Sequence, residues 1–270
     1  MLITHNRALD RREETASLQL LASGNALCDN KWCATEPSPP YTRLYYIAEG
    51  EAFVKTAHGA LTLKAGHLYL LPAGCAFSYH CDTQMRQLYF HVNLLGSEGY
   101  DLLRSISRVL YTPLDDDYIR ELLALYAADS RAELLYLRAL VKRDVMALLC
   151  REGITLEAPA YSACVTKALH FIEENLSASL SLKTVAECTF VSPHTLTHKF
   201  KQEMGTSVGQ YIEGLVLFKA EQLLLSTDLP LSQISEQLGF YDQFYFSRRF
   251  KEHFSVPPLV YRKNHRFTEV

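Results

Sequence analysis

A repeat close to the C-terminal end constrains this chain more than any other feature. When position 192 is laid on position 242, FVSPHTLTHKFKQEM (Phe190 to Met204) falls on FYDQFYFSRRFKEHF (Phe240 to Phe254). Phe190 meets Phe240, Phe200 meets Phe250 and Lys201 meets Lys251. Leu196 lies over Phe246, Met204 over Phe254 and Tyr211 over Tyr261, so the second copy repeats the apolar positions of the first with bulkier side chains. Two similar small helical units are expected.

Both copies are punctuated alike. Ser192 and Asp242 are good N-caps, and Pro193 at the first helical position brings a φ already suited to a helix. Val191 before the cap can staple onto Leu196. Upstream lie shorter helical patterns, SLKTVAEC and LSQISEQL, joined to the capped helices by TFV and GFY, with Gly239 able to supply a positive φ. Helix, tight turn, helix is the expectation, twice over.

In a helix-turn-helix the second helix enters the major groove, while its fourth, eighth and twelfth positions pack inward. That leaves His194, Thr195, Thr197, His198 and Lys201 outward in the first unit, and Gln243, Phe244, Ser247, Arg248 and Lys251 in the second. Gln243 suits adenine, Arg248 guanine and Phe244 a thymine methyl. Thr197, His198 and Ser247 can donate to bases or phosphates, whereas Lys201 and Lys251 suit the phosphate backbone. The rival reading is an ordinary solvated helix face; two copies with matched caps and cores weigh against it.

Charge gives the duplex-binding reading limited help. The chain carries a net charge of −3, and from residue 177 onward ten Lys and Arg against nine Asp and Glu leave +1. Non-specific affinity should be modest, with charge concentrated on one face, as Arg248, Arg249, Lys251, Arg262 and Lys263 suggest. A dimer would help.

Upstream the grammar changes. RLYYIAE, EAFVKTA, ALTLK, HLYLL and RQLYFHV, between Arg43 and Asn93, are of strand length, with turn signals at Gly50, His58-Gly59, Ala65-Gly66 and Pro72-Ala73-Gly74. An antiparallel sandwich or small barrel is the economical architecture. YDLLRSISRVL and DDDYIRELLALYAA then read as helical, as does Ser130 to Arg151, where Leu134, Leu137, Val141, Val145 and Leu148 form one apolar stripe. Packing within the subunit and a two-fold dimer seam both explain that stripe, and they can coexist. REGITLEAPA reads as a linker, so the expected division is residues 1–150, a linker at 151–160 and a helical domain over 161–270.

The stretch LGFYDQFYFSRRFKEHFSVPPLVYR, together with SLKTVAECTFVSPHTLTHKFKQEMGTSVGQYI before it, resembles the signature of the AraC/XylS family of bacterial transcription regulators. The resemblance covers roughly Ser162 to Arg266. It implies two recognition helices entering successive major-groove segments of double-stranded DNA, with base-facing positions at His194, Thr197, His198, Gln243, Phe244, Ser247 and Arg248. Three positions depart from the pattern. Val216 stands where many members carry a linking-helix Arg, His198 where first recognition helices often carry Arg, and Ser255 where the family has Gly. A histidine reader is expected to make the first unit weaker or pH-sensitive.

More weakly, the N-terminal part resembles the cupin-like sensory domain that many members carry, through Gly66-x5-Pro72-x-Gly74. The metal-ligand pattern is missing: Phe77 and Cys81 stand where a metal cupin has ligands, and His58, His67, His80 and His91 are scattered. No metal and no cofactor are therefore expected. On the strand from Met85 to Asn93, one face reads Arg86, Leu88, Phe90, Val92 and looks like packing surface. The other, Met85, Gln87, Tyr89, His91, Asn93, has the polar and aromatic mixture of a small-molecule pocket. Tyr79 lies where sugar-sensing relatives place a ligand-contacting tyrosine, and Glu49 is expected to face the same cavity. A filled barrel used only for dimerisation is the alternative.

The expected fold is thus α+β with two domains: an N-terminal cupin-like antiparallel β-barrel with dimerisation helices, and a C-terminal all-α domain with two helix-turn-helix units. The expected function is sequence-specific transcription regulation by a homodimeric, small-molecule-responsive activator that works with RNA polymerase. The alternative drops the effector and places control in a protein partner or in abundance. An enzyme is not expected: a cupin enzyme lacks its ligands, and an alkyl-transfer repair protein would need a reactive thiol, for which Cys28, Cys33, Cys75 and Cys81 have no basic setting. Seven cysteines without a CxxC pair suit a reducing compartment. With no spanning apolar run and no signal-peptide centre in MLITHNRALDRREE, a cytoplasmic protein without membrane association is expected.

Overall fold

The computed structural model describes residues 16–36, 39, 41–96, 101–156, 161–254 and 256–265. Residues 157–160 of the expected linker, Ser255 and Arg266 lie outside the described residues. An antiparallel sheet domain comes first and a helical domain follows.

The sheet domain is organised by one long strand. Strand β1 spans Ser17–Cys28, β2 Cys33–Glu36, β3 Thr42–Thr56, β4 Gly59–Lys64, β5 His67–Leu71, β6 Phe77–His80, β7 Met85–Leu95 and β8 Leu110–Pro113. The first half of β3 pairs with β5 and β7, extending to β8 and β1; its second half pairs with β4 and β6, extending to β2. RLYYIAE and EAFVKTA were expected as separate strands with a turn at Gly50; they form one. Gly50 instead has φ of 71° inside β3, beside a register shift between Ile47 and Glu49, so the strand bends from one sheet into the other. A Cβ there would lie 2.0 Å from the Gln84 carbonyl oxygen, which leaves room only for glycine.

The bend gives the domain an inside and an outside. On β3, Leu44 and Tyr46 face outward with Leu68, Leu70, Leu88, Phe90 and Val92, and pack on helices α1 (Asp116–Tyr126) and α2 (Arg131–Arg151). Inward, Tyr45, Ile47, Ala52, Val54, Leu63 and Met85 fill the closed end of the roll. Asp144 of α2 is buried but satisfied, accepting hydrogen bonds from Tyr46 Oη at 3.0 Å and Tyr118 Oη at 2.7 Å and pairing with Arg143.

YDLLRSISRVL does not form the expected helix. Asp101 Oδ1 accepts from Leu94 N at 2.8 Å and Leu103 N at 3.1 Å, which confines the segment to a short 3-10 turn over Leu102–Ser105 before β8 pairs with β5. The stripe on α2 divides. Leu137, Val141, Val145 and Leu148 are buried against the sheet, whereas Leu134 stays exposed beside Leu135 and Tyr136.

The helical domain comprises α3 (Ala163–Glu174), α4 (Leu182–Thr189), α5 (Pro193–Met204), α6 (Val208–Ser226), α7 (Leu231–Gln237), α8 (Gln243–Phe254) and α9 (Pro258–His265). The helix-turn-helix pairs are α4 with α5 and α7 with α8, joined through α6, and all share one apolar core. Among the described residues no helix is long and apolar enough to cross a membrane.

Candidate nucleic-acid interface and ligand cavity

The capped helices start as expected. Ser192 Oγ accepts from Thr195 N at 3.1 Å, and Asp242 Oδ1 accepts from Phe244 N at 2.8 Å and Tyr245 N at 2.6 Å. Leu196 and Phe200, and Phe246, Phe250 and Phe254, bury one side of each helix; Val191 packs against the same core. The opposite side leaves His194, His198 and Lys201 exposed on α5, and Gln243, Phe244, Arg248 and Lys251 exposed on α8. Arg248 stands with its guanidinium carbon 5.2 Å from the centre of the Tyr245 ring.

Four residues depart from their expected roles at close range. Thr197 and Ser247 were expected to donate outward; instead Thr197 Oγ1 donates to Pro193 O at 2.8 Å and Ser247 Oγ to Gln243 O at 2.7 Å, leaving lone pairs rather than protons for an incoming group. Of the basic residues expected on one face, Arg249 bonds Glu213 Oε1 through Nε at 2.6 Å and also pairs with Glu252. Arg262 donates to the carbonyl oxygens of Leu224 and Leu229. These two guanidiniums brace the domain. The Glu213 pair joins α6 to α8, and Val216, where the family often has Arg, is core.

A cavity of about 300 Å³ opens at the end of the roll that faces the helical domain. Arg43, Tyr45, Tyr79, Gln87, Tyr89 and His91 line it from the sheet, with Trp32 beside Tyr79 at 4.2 Å between ring centres. Glu221 and Leu225 of α6 and Tyr261 and Lys263 of α9 line it from the other side. Four of the five expected pocket residues, Tyr79, Gln87, Tyr89 and His91, are thus brought together. Glu49 is not: the register shift after Ile47 breaks the inward alternation of Arg43, Tyr45 and Ile47, and Glu49 faces solvent 3.6 Å from Arg86.

The cavity combines aromatic rings with polar and charged groups. Burial, reinforced by the Arg43 charge, pushes His91 well below the ordinary histidine value, so it is neutral, with its ring 4.4 Å from that of Tyr41. Burial raises Tyr89. Gln87 Nε2 donates to Cys28 Sγ at 3.4 Å, while Gln87 Oε1 and His91 Nδ1 are buried without a hydrogen-bond partner. Burial lifts the Cys28 thiol to about 12, which keeps it protonated and a poor nucleophile. Such a lining suits a small ligand that brings hydroxyl or amine donors to buried acceptors and apolar edges to aromatic faces. Among the described residues no group of three His, Cys, Asp or Glu could hold a metal ion.

Arg43, Tyr45 and Trp32 went unread in the sequence, although Tyr41, Arg43 and Tyr45 alternate along a strand there. For Glu221 the only signal was a carboxylate inside the apolar run VLFKAEQLLL.

Known proteins place these two parts in one class. A model of a helix-turn-helix domain matches residues 185–264, and a model of the AraC-like ligand binding domain matches residues 35–140. The multiple antibiotic resistance protein MarA of Escherichia coli (strain K12) is 39% identical over 94 residues, which span 35% of this chain and 74% of that protein. The lactose operon transcription activator of Staphylococcus xylosus is 23% identical over 233 residues, covering 81% of this chain and 82% of its own. Among solved structures, fatty-acid-bound ToxT from Vibrio cholerae superposes with a TM-score of 0.65 at 14% identity, covering 93% of this chain and 97% of that one, and so shares the two-domain fold. The chain belongs to the AraC family: it is a DNA-binding transcription regulator with an AraC-type ligand-binding domain.

Proposed function

We propose that the chain is an effector-responsive, homodimeric transcription activator that reads DNA with α5 and α8 and recruits RNA polymerase. The observation that carries this reading is the cavity. A regulator controlled only by abundance has no use for a pocket whose buried polar groups, Arg43, Gln87 and His91, sit among aromatic rings beside residues of the DNA-binding domain. Gln87 Oε1 supports a ligand rich in hydroxyl or amine donors, with Tyr79, Tyr89 and His91 as the contacting side chains. The S. xylosus relative, named as an activator, supports activation. Leu134, Leu135 and Tyr136, exposed together on α2, support a helix-to-helix seam between two copies.

In this reading His194, Thr197 and His198 on α5 and Gln243, Phe244, Ser247 and Arg248 on α8 face the bases, and Lys201 and Lys251 hold phosphates. The test is selection of sites from a random duplex pool by the full-length protein, with and without a cell extract of small metabolites. A motif of two half-sites whose spacing or enrichment changes with extract is the expected result. A motif indifferent to extract would remove the effector and leave control to a protein partner or abundance, and no motif would remove DNA reading by these helices.

A further inference from the structure

A second cavity, of about 250 Å³, has no described lining residue in common with the first. Phe218 stands between them: its ring lies 6.0 Å from that of His91, which lines the first cavity, and Phe218 itself lines the second. The walls come from β1, β7 and the turn at Leu102–Ser105 on one side and from α3 and α6 on the other. Leu95, Leu169, Leu215, Tyr161, Tyr211 and Phe218 make much of this surface apolar and aromatic.

Two buried acceptors border it. Asp101, 6% exposed, commits Oδ1 to the Leu94 and Leu103 N–H groups, and its Oδ2 has no hydrogen-bond partner among the described residues. Asn93 Oδ1 is buried and equally unpaired among them. The Leu94 N–H that Asp101 holds follows Asn93 in the chain, so the two acceptors are near neighbours on the wall. Burial lifts the Asp101 carboxyl to about 6 against the pull of the two N–H groups and of Arg104, and at neutral pH it is still mostly ionised. An anionic oxygen and a carbonyl oxygen, both buried and both unsatisfied, suit a donor that also brings positive charge.

The same cavity carries the opposite sign. Arg104 stands with its guanidinium carbon 5.4 Å from the centre of the Tyr211 ring, and Lys219 is exposed on α6. With Asp101 and the exposed Glu173, the lining holds two carboxylates and two cations. A simple amine would leave the cations unanswered, and a simple acid would leave the acceptors so. The complement is neutral overall, with an ammonium group, a carboxylate and an apolar body. We propose that this cavity is a second small-molecule site, built for a free amino acid with an apolar side chain. Its ammonium meets Asp101 and Asn93, its carboxylate meets Arg104 and Lys219, and its side chain lies against the leucines and rings. The site is independent of the effector reading of the first cavity.

The test uses full-length protein and free leucine, methionine and phenylalanine as probes, with saturation-transfer NMR to detect binding and calorimetry to measure it. At least one of the three should bind, and absence of binding by all three would overturn the site. For phenylalanine the comparison molecules are phenethylamine, which lacks the carboxylate, and phenylpropionate, which lacks the ammonium. Each should bind about tenfold or more weakly, as loss of a hydrogen-bonded charged group implies; equal binding of either would overturn the zwitterion.

Asn93→Leu removes one acceptor and should weaken the amino acid about tenfold. Asp101→Asn keeps an oxygen for the two N–H groups, loses the charge, and should weaken it further. Arg104→Gln should shrink the preference for phenylalanine over phenethylamine, a change that loss of folding does not imitate. Affinity unchanged in all three variants would overturn the proposal. Affinity lost in Gln87→Leu and kept in Asn93→Leu would put the molecule in the first cavity and overturn it equally.

Discussion

The two helix-turn-helix units have one plan and unequal execution. Unit one turns from α4 into α5 through Phe190, a non-glycine residue with φ of 56° whose side chain is 87% exposed; unit two makes its turn at Gly239, with φ of 71°. Unit one has Leu196, Phe200 and Met204 along its inner side, whereas unit two stacks Phe246, Phe250 and Phe254 against Tyr261. Outside, α5 offers two histidines and α8 an arginine flanked by aromatics. Unit two is also braced by Arg249 to α6. The difference suggests a division of labour in which α8 is held rigidly for base reading and α5 contributes more to placement.

The widest gap should appear in the cores. Phe250 has ring neighbours Phe246, Phe254 and Tyr261 at 5.7, 4.4 and 5.4 Å, whereas among the described residues Phe200 has Tyr211 at 5.6 Å. Phe250→Ala should lower unfolding free energy toward the upper end of roughly 3–5 kcal/mol and Phe200→Ala toward the lower end. Urea denaturation of the two variants makes the comparison, and equal losses would erase the claim that unit two is the more tightly built.

Base reading comes next in size. Arg248→Ala should cost about 1–3 kcal/mol at one base pair and relax preference there, while His198→Ala should cost less. Binding measured across a set of single-base-pair variants of a selected site gives both numbers. A sharper loss from His198 than from Arg248 would invert the assignment of the units.

Much of this was legible because it is local. Caps, turn residues and the three-and-four spacing of Leu196 with Phe200 or Phe246 with Phe250 are set within a dozen residues, and they came out where the repeat put them. The two faces of β7 came out with the expected alternation, but Arg86 is exposed and pairs with Glu49 instead of packing, Met85 fills the core, and Asn93 stands apart from the first cavity. What the sequence hid depends on distant chain segments. The register shift that turns Glu49 outward belongs to the pairing of β3 with β7, Arg249 and Arg262 were diverted by acceptors on or just after α6, and Glu221 meets the Tyr41 hydroxyl only where α6 packs on the sheet domain. Charge type was readable, but its partner was not.

The turns offer a smaller and opposite pair of effects. At Gly239 a Cβ would come 2.0 Å from Ser177 Oγ in a backbone region that disfavours side chains, so Gly239→Ala should destabilise by about 1–2 kcal/mol. Phe190→Gly should stabilise by about 0.5–1 kcal/mol, because relief of the left-handed backbone exceeds the entropy glycine adds to the unfolded chain. The Phe190 ring has Lys167 Nζ 5.6 Å from its centre, a contact too exposed to reverse that sign. Thermal melts decide it, and a loss of stability in Phe190→Gly would mean that the ring, rather than the turn, holds unit one together.

The smallest expected effect is also the one on which the units should agree. Lys201 and Lys251 occupy matched positions, both exposed near the C-terminal ends of α5 and α8, well away from the N-terminal residues proposed to meet base edges. A lysine there has no planar fork for a base and suits a point-charge contact to a phosphate, the role proposed for both. Removing it should weaken binding to every sequence alike and lower the slope of log affinity against log salt by about one, with the same decrement for Lys201→Ala and Lys251→Ala. Unequal decrements in a titration over salt would show that one unit sits farther from the backbone than the other, whereas a loss confined to one base pair would move that lysine from the phosphates to the groove floor. Equal slopes beside unequal Arg248 and His198 effects would separate positioning, shared by both helices, from reading, concentrated in α8.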